Sequence, residues 1–129
     1  MKLLLDTHAL LWFASGDAQL GRKAQAAIAD PANTVMVSAV SFWEAAIKVR
    51  VGKLDVDVAR LIENSVGAGF ELLDLKPGHV ERLMRLPTPP QHRDPFDQLL
   101  LAQAAAEEAT FVTDDRHAKR YGVSIMRSS

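Results

Sequence analysis

The chain of 129 residues has no cysteine, which removes disulfides, thiolate metal sites and cysteine nucleophiles and fits a reducing compartment. It also lacks any apolar run long enough to span a bilayer, and Leu3-Leu4-Leu5 is interrupted by Asp6 too early to act as a signal peptide. A soluble, cytoplasmic protein with no membrane partner is the expectation. Neither sign of charge dominates. Lys and Arg number 15 against 16 Asp and Glu, a formal charge of -1, so any hold on nucleic acid must come from a local patch or a metal ion. Aromatic residues make up 6% and rarely alternate with basic ones, which argues against a stacking groove for single strands. No GxGxxG or Walker glycine loop is present, so nucleotide-cofactor binding has no support. His8, His79, His92 and His117 show no metal-ligand spacing and read as surface or packing residues.

What remains is an ordinary globular composition, 48% hydrophobic and 24% charged, with the length of one domain spanning residues 1–129. Along it, short apolar runs alternate with helical patterns. Strands are expected at Lys2 to Leu5, Thr34 to Ser38, Phe70 to Leu75, Thr110 to Thr113 and Val123 to Met126. Helices are expected at Ala9 to Ala14, Leu20 to Ala29, Val40 to Val51, Val58 to Val66, Pro77 to Leu86 and Phe96 to Ala109, with a short one at Arg116 to Tyr121. The proline-dense stretch Pro87 to Arg93 cannot be regular structure. This alternation implies an α/β fold, a parallel five-stranded sheet with helices on both faces, whose ligands bind beyond the carboxyl ends of the strands.

The candidates for chemistry are acidic. Asp6 follows the first strand, Glu44 sits in a helix, Asp94 and Asp97 open another, and Asp114 and Asp115 follow the fourth strand. Asp6, Asp94, Asp114 and Asp115 could each simply cap a helix. Asp97 could close a capping arrangement with Asp94 or project towards the strand ends. Glu44 is flanked by Phe42, Trp43, Ala45, Ala46 and Ile47, where a lone carboxylate is costly unless a metal ion or Lys48, four residues on, accompanies it. Convergence of these groups on one pocket would be unfavourable, since unit charges about 4 Å apart repel by roughly 4 kcal/mol at an effective dielectric near 20. A cation would relieve it. Oxygen-only donors favour Mg²⁺ or Mn²⁺, which suit phosphodiester hydrolysis. Two other readings stay open: an aspartyl phosphatase, although Asp6 is followed by Thr7 and His8 rather than by a second aspartate two residues on, and a non-catalytic regulatory module whose carboxylates cap helices. Arg93 with His92, and Lys48, Arg50 and Lys53, could touch a phosphate backbone or form solvated faces.

Four segments in order resemble those of PIN-domain ribonucleases, specifically the toxins of VapBC toxin-antitoxin pairs: Leu4-Leu5-Asp6-Thr7-His8-Ala9-Leu10-Leu11-Trp12, Ser41-Phe42-Trp43-Glu44-Ala45-Ala46-Ile47-Lys48, Arg93-Asp94-Pro95-Phe96-Asp97-Gln98-Leu99-Leu100-Leu101-Ala102-Gln103-Ala104 and Phe111-Val112-Thr113-Asp114-Asp115. The resemblance covers essentially the whole chain. It implies a Mg²⁺- or Mn²⁺-binding catalytic quartet of Asp6, Glu44, Asp97 and Asp115, with Thr113 positioning the last carboxylate or a phosphate. Thr7, Asp94, Asp114, Arg93 and Lys48 become outer-shell or substrate residues. It implies too an RNA substrate, a small antitoxin that inserts a segment into the acidic groove, and a homodimer.

Overall fold

The computed structural model describes residues 1–87 and 94–129. Five parallel strands, β1 (Lys2–Leu5), β2 (Thr34–Ser38), β3 (Glu71–Leu73), β4 (Thr110–Val112) and β5 (Ile125–Met126), form one sheet in the order β3-β2-β1-β4-β5. Between them run α1 (Thr7–Ser15), α2 (Arg22–Ala29), α3 (Ala39–Arg50), α4 (Val58–Gly67), α5 (Pro77–Arg85) and α6 (Pro95–Ala106), and a 3₁₀ helix over Arg116–Tyr121. The first three strands step outward to one side of β1 and the last two to the other, so the strand order reverses between β1 and β4. Open sheets of this kind leave their ligand crevice at that point, beyond the carboxyl ends of the strands.

Strand side chains alternate across the sheet, and both faces are covered, which is why the strands read as continuous apolar runs. Leu3, Leu5, Val35, Val37 and Val112 pack into one core with Leu10 of α1, Ile28 of α2 and Leu61 of α4. Leu4, Met36, Leu73 and Phe111 pack into the other with Leu100, Leu101 and Ala104 of α6. Leu3, Leu4 and Leu5 are all 0% exposed, and full burial of such a side chain contributes about 1.5–3 kcal/mol. The position of β1 in the sheet centre follows from that.

Several boundaries differ from the sequence expectation. The third strand is only Glu71–Leu73, because Phe70 turns into the first core and stacks on Phe13 at 5.3 Å, while Leu75 is 43% exposed. The last strand contracts to Ile125–Met126. Helix α6 stops at Ala106 rather than Ala109: Glu108 takes a left-handed φ of 54°, and the Ala109 N–H folds back onto the Ala104 carbonyl at 2.9 Å. The expected loop at Pro87 to Arg93 lies almost wholly outside the described residues.

Candidate active site

The crevice at the strand-order reversal is built from ends of elements. Leu5 ends β1 and Asp6 follows, caps α1 by accepting the Ala9 N–H at 2.7 Å, and is only 6% exposed. Its second oxygen accepts from Thr113 Oγ1 at 2.6 Å, and Thr113 Oγ1 accepts in turn from the Asp115 N–H at 3.1 Å. The two strand ends are thus joined by a hydroxyl. Asp115 caps the 3₁₀ helix through the His117 N–H at 2.9 Å. Asp94 caps α6, accepting the Phe96 and Asp97 N–H groups at 2.9 and 3.2 Å. The capping roles expected of these three aspartates are therefore present.

Capping does not use up the carboxylates, however. Asp6, Asp97, Asp114 and Asp115 line one pocket of about 290 Å³ together with Thr113, His8, Trp12 and Ser128. Asp97, one turn into α6, points to the strand ends rather than closing a box with Asp94. Burial raises its pKa to about 7, aided by the negative charges of Asp94, Asp6, Glu44 and Asp115. Asp6 is also raised, by burial above all, against the lowering effect of Thr113 and Ala9. Glu44 stands behind the pocket wall, 3% exposed, accepting from Thr7 Oγ1 at 2.6 Å and pairing with Lys48 Nζ at 2.7 Å. The pairing with Lys48 expected for Glu44 is therefore present, and the charge of Glu44 also acts on Asp97. Thr7 acts on Glu44 and approaches Ser41 Oγ at 3.1 Å, a place behind the pocket rather than in it.

Asp114 has a different task. Its Oδ1 accepts the Ser128 and Ser129 N–H groups, both at 3.0 Å, so it anchors the segment that follows β5. Burial by itself would raise its pKa, and the bonds from Ser129 and Ser128 together outweigh that and hold it below the ordinary value. Asp114 and Asp115 both line the pocket; Asp115 Oδ1 accepts the His117 N–H, and the charge of Asp114 acts on Asp6. Arg93 and His92 lie outside the described residues.

Among the described residues, no three Asp, Glu or His side chains already converge as a cage for a metal ion. The donor set nonetheless fits a hard divalent cation: carboxylate oxygens from the ends of β1 and β4 and from α3 and α6, among which burial first and mutual repulsion second raise Asp97 to about 7.

Two features escaped sequence reasoning. Ser128 is 0% exposed, lines the acidic pocket, and its hydroxyl has no hydrogen-bond partner among the described residues; nothing local in the sequence marks it. Gln103, also 0% exposed, lies inside the apolar run of α6 and joins Ser38, His79 and the Asp74 carbonyl. A lone amide among leucines and alanines was its signal.

A family model described as the PIN domain matches residues 3–123, and the chain belongs to that family. The particular relatives are toxin-antitoxin proteins. The chain superposes on VapBC2 from Rickettsia felis, solved bound to a DNA fragment of its promoter, with a TM-score of 0.78 and 19% identity over 100% of both chains. VapC20 from Mycobacterium tuberculosis, described as a toxin cleaving the sarcin-ricin loop, gives 0.68 and 15%, covering 97% of this chain and 98% of that one. VapBC-5 from the same organism gives 0.64 and 22%, covering 98% of each. At these identities the likeness is one of fold. No curated protein matches the chain significantly. Among the described residues no helix is long and apolar enough to cross a membrane.

Proposed function

We propose that this chain is a divalent-metal-dependent endoribonuclease of the VapC type, the toxin of a toxin-antitoxin pair. The observation that carries the reading is the pocket at the strand-order reversal lined by Asp6, Asp97, Asp114 and Asp115, with the charge of Glu44 also acting on Asp97. Membership of the PIN family supports the nuclease class. Similarity of fold to VapBC complexes supports an antitoxin partner, and the exposed Trp43 and Ile47 of α3, with Val51 just past its end, support a protein interface, a homodimer or an antitoxin contact.

The residues that would hold Mg²⁺ or Mn²⁺ are Asp6, Asp97 and Asp115, with Glu44 behind them. A bound ion would supply Lewis-acid stabilisation of charge on the phosphate and a lowered pKa for water. The chain's own groups do the rest. The Thr113 hydroxyl and the Ala9 N–H fix both oxygens of Asp6, so its carboxylate is oriented before any ligand arrives. Thr113 also ties the Asp115 backbone to that same carboxylate. Thr7 donates to Oε1 and Lys48 to Oε2 of the buried Glu44, fixing both of its oxygens. Asp97, raised to about 7 without an ion, would be held ionised by a bound divalent cation.

The test is cleavage of single-stranded RNA by the purified chain. Cleavage should require Mg²⁺ or Mn²⁺, stop with chelator and fall at least about a hundredfold in Asp6→Asn. Cleavage that persists in chelator and in that variant rejects the reading. One observation favours the alternative of a non-catalytic module: Asp6, Asp94 and Asp115 all cap helices, and no ready-made cage is present among the described residues. Absence of any divalent-ion binding in calorimetry would select that alternative.

A further inference from the structure

With a net charge of -1, a grip on a polyanion must be local, and most of the cations first considered for it are otherwise placed. Lys48 is engaged by Glu44, and Arg50 and Lys53 lie at the far end of α3. A second cleft, about 360 Å³, opens on the other side of the strand end Thr113–Asp115, which it shares with the acidic pocket. Its outer wall carries Arg116 and Lys119 from the 3₁₀ helix and Arg127 from the segment after β5. Arg116 and Lys119 are exposed and form no ion pair with any described residue. Arg127 is 77% exposed and comes no nearer than 3.8 Å to Asp114 Oδ1, an oxygen already accepting two N–H groups.

The segment that carries Arg127 is held firmly. Besides the Asp114 anchor, the Gly21 N–H donates to the Ser128 carbonyl at 2.8 Å, and Gly21 sits so close that a Cβ there would stand 2.6 Å from the Ser129 carbonyl carbon. As a result two consecutive residues face two clefts: Arg127 lines the cationic one, and Ser128, with its buried and unpartnered hydroxyl, lines the acidic one. An uncommitted donor in a pocket walled by carboxylates suits a ligand rich in acceptor oxygens.

The geometry points to a track for a single nucleic-acid strand that runs from the acidic pocket across the Thr113–Asp115 ridge into the cleft of Arg116, Lys119 and Arg127, where those three cations hold the phosphates flanking the one in the pocket. The position of the scissile phosphate rests on the nuclease reading above; the cleft's affinity for phosphates does not.

The experiment is fluorescence anisotropy of a labelled 12-nucleotide single-stranded RNA with the full chain in EDTA, which silences metal-dependent cleavage, over a series of salt concentrations. Each of Arg116→Gln, Lys119→Gln and Arg127→Gln should reduce the slope of log K against log salt by about 0.7, and the triple variant by about 2, with affinity at low salt down at least about tenfold. Arg50→Gln with Lys53→Gln should leave both unchanged. A triple variant that keeps the wild-type slope, a loss produced instead by the Arg50 and Lys53 pair, or a wild type that does not bind the strand overturns the proposal. The two readings separate cleanly: binding lost in the triple variant with no cleavage in Mg²⁺ leaves the cleft standing and removes the nuclease, whereas cleavage with binding indifferent to these cations does the reverse.

Discussion

Two buried polar regions flank the central sheet, and they are wired in opposite ways. Beside β2 and β3, Ser38 Oγ donates to Gln103 Oε1 at 2.5 Å, and Gln103 Nε2 lies 3.2 Å from both the Asp74 carbonyl and His79 Nδ1. His79 Nδ1 also accepts the Lys76 N–H at 3.0 Å, so the ring proton sits on Nε2 and is donated to Glu107 at 3.0 Å. Every donor there meets an acceptor. At the ends of β1 and β4 acidic side chains gather instead, and burial above all, then the charges of Asp94, Asp6, Glu44 and Asp115, pushes Asp97 up to about 7. A satisfied network specifies a fold; an excess of like charge in a cleft lowers stability and marks a place built for something that is not protein.

The largest effect that sharpens this contrast comes from Asp97→Asn. RNA cleavage should fall by about a hundredfold or more, yet the ion-free protein should become more stable at neutral pH, because one of the mutually repelling charges is gone. The pH dependence carries the same sign. The unfolded chain releases the Asp97 proton near its ordinary value, the folded chain only near about 7. Between those limits the folded state binds more protons, so in chelator stability falls as pH rises through that window. Asp97→Asn should flatten that slope, and so should Mg²⁺, which at a hundred times its Kd adds about 2.7 kcal/mol. Thermal melts from pH 4 to 8, with and without the ion, measure both. A variant that loses stability at pH 7 in chelator would place Asp97 with the satisfied groups.

Gln103→Leu should act the other way round. The side chain is of similar size, but Ser38 Oγ and His79, both buried, and the Asp74 carbonyl each lose a partner. Leaving one buried polar group unpaired costs about 1–3 kcal/mol, so a loss of about 3 kcal/mol in urea unfolding is expected. Divalent-ion affinity should stay within about twofold of wild type once the variant is folded. A stable Gln103→Leu would show that the network is ornamental.

The sheet was legible in the sequence because Leu3 to Leu5, Val35 to Val37 and Phe111-Val112 are apolar on both faces, a pattern only a covered parallel sheet accommodates. Asp6 and Asp97 were legible as candidates since each stands where a strand end or helix start aims a carboxylate at the crevice. The different surroundings of Asp114 and Asp115 could not be read locally: Ser128 and Ser129, 14 and 15 residues away, donate their N–H groups to Asp114 Oδ1. The same holds for the cationic cleft, where Arg127 joins Arg116 and Lys119 only because β5 pairs with β4. Helix ends were misjudged where a backbone turn overrode composition, as at Glu108 with its positive φ at the close of an alanine-rich run.

The smallest predicted effect lies at the edge of the satisfied network. Glu107 is 24% exposed, accepts from His79 Nε2 and has Lys2 Nζ at 3.8 Å. Its carboxyl is held below the ordinary glutamate range, mainly by the His79 hydrogen bond and against the effect of burial. A depressed acid contributes stability that is present above its unfolded pKa and is lost as pH falls through the folded one. The slope is therefore opposite in sign to that of Asp97 and lies at lower pH. Glu107→Gln keeps an acceptor for His79, so it should cost about 1 kcal/mol or less at pH 7 while removing the acid-side slope. Melts of this variant between pH 3 and 5 test the comparison at its most delicate point: should the acid-side slope survive unchanged, Glu107 does not carry it and the two regions differ less in their charge balance than their hydrogen bonds indicate.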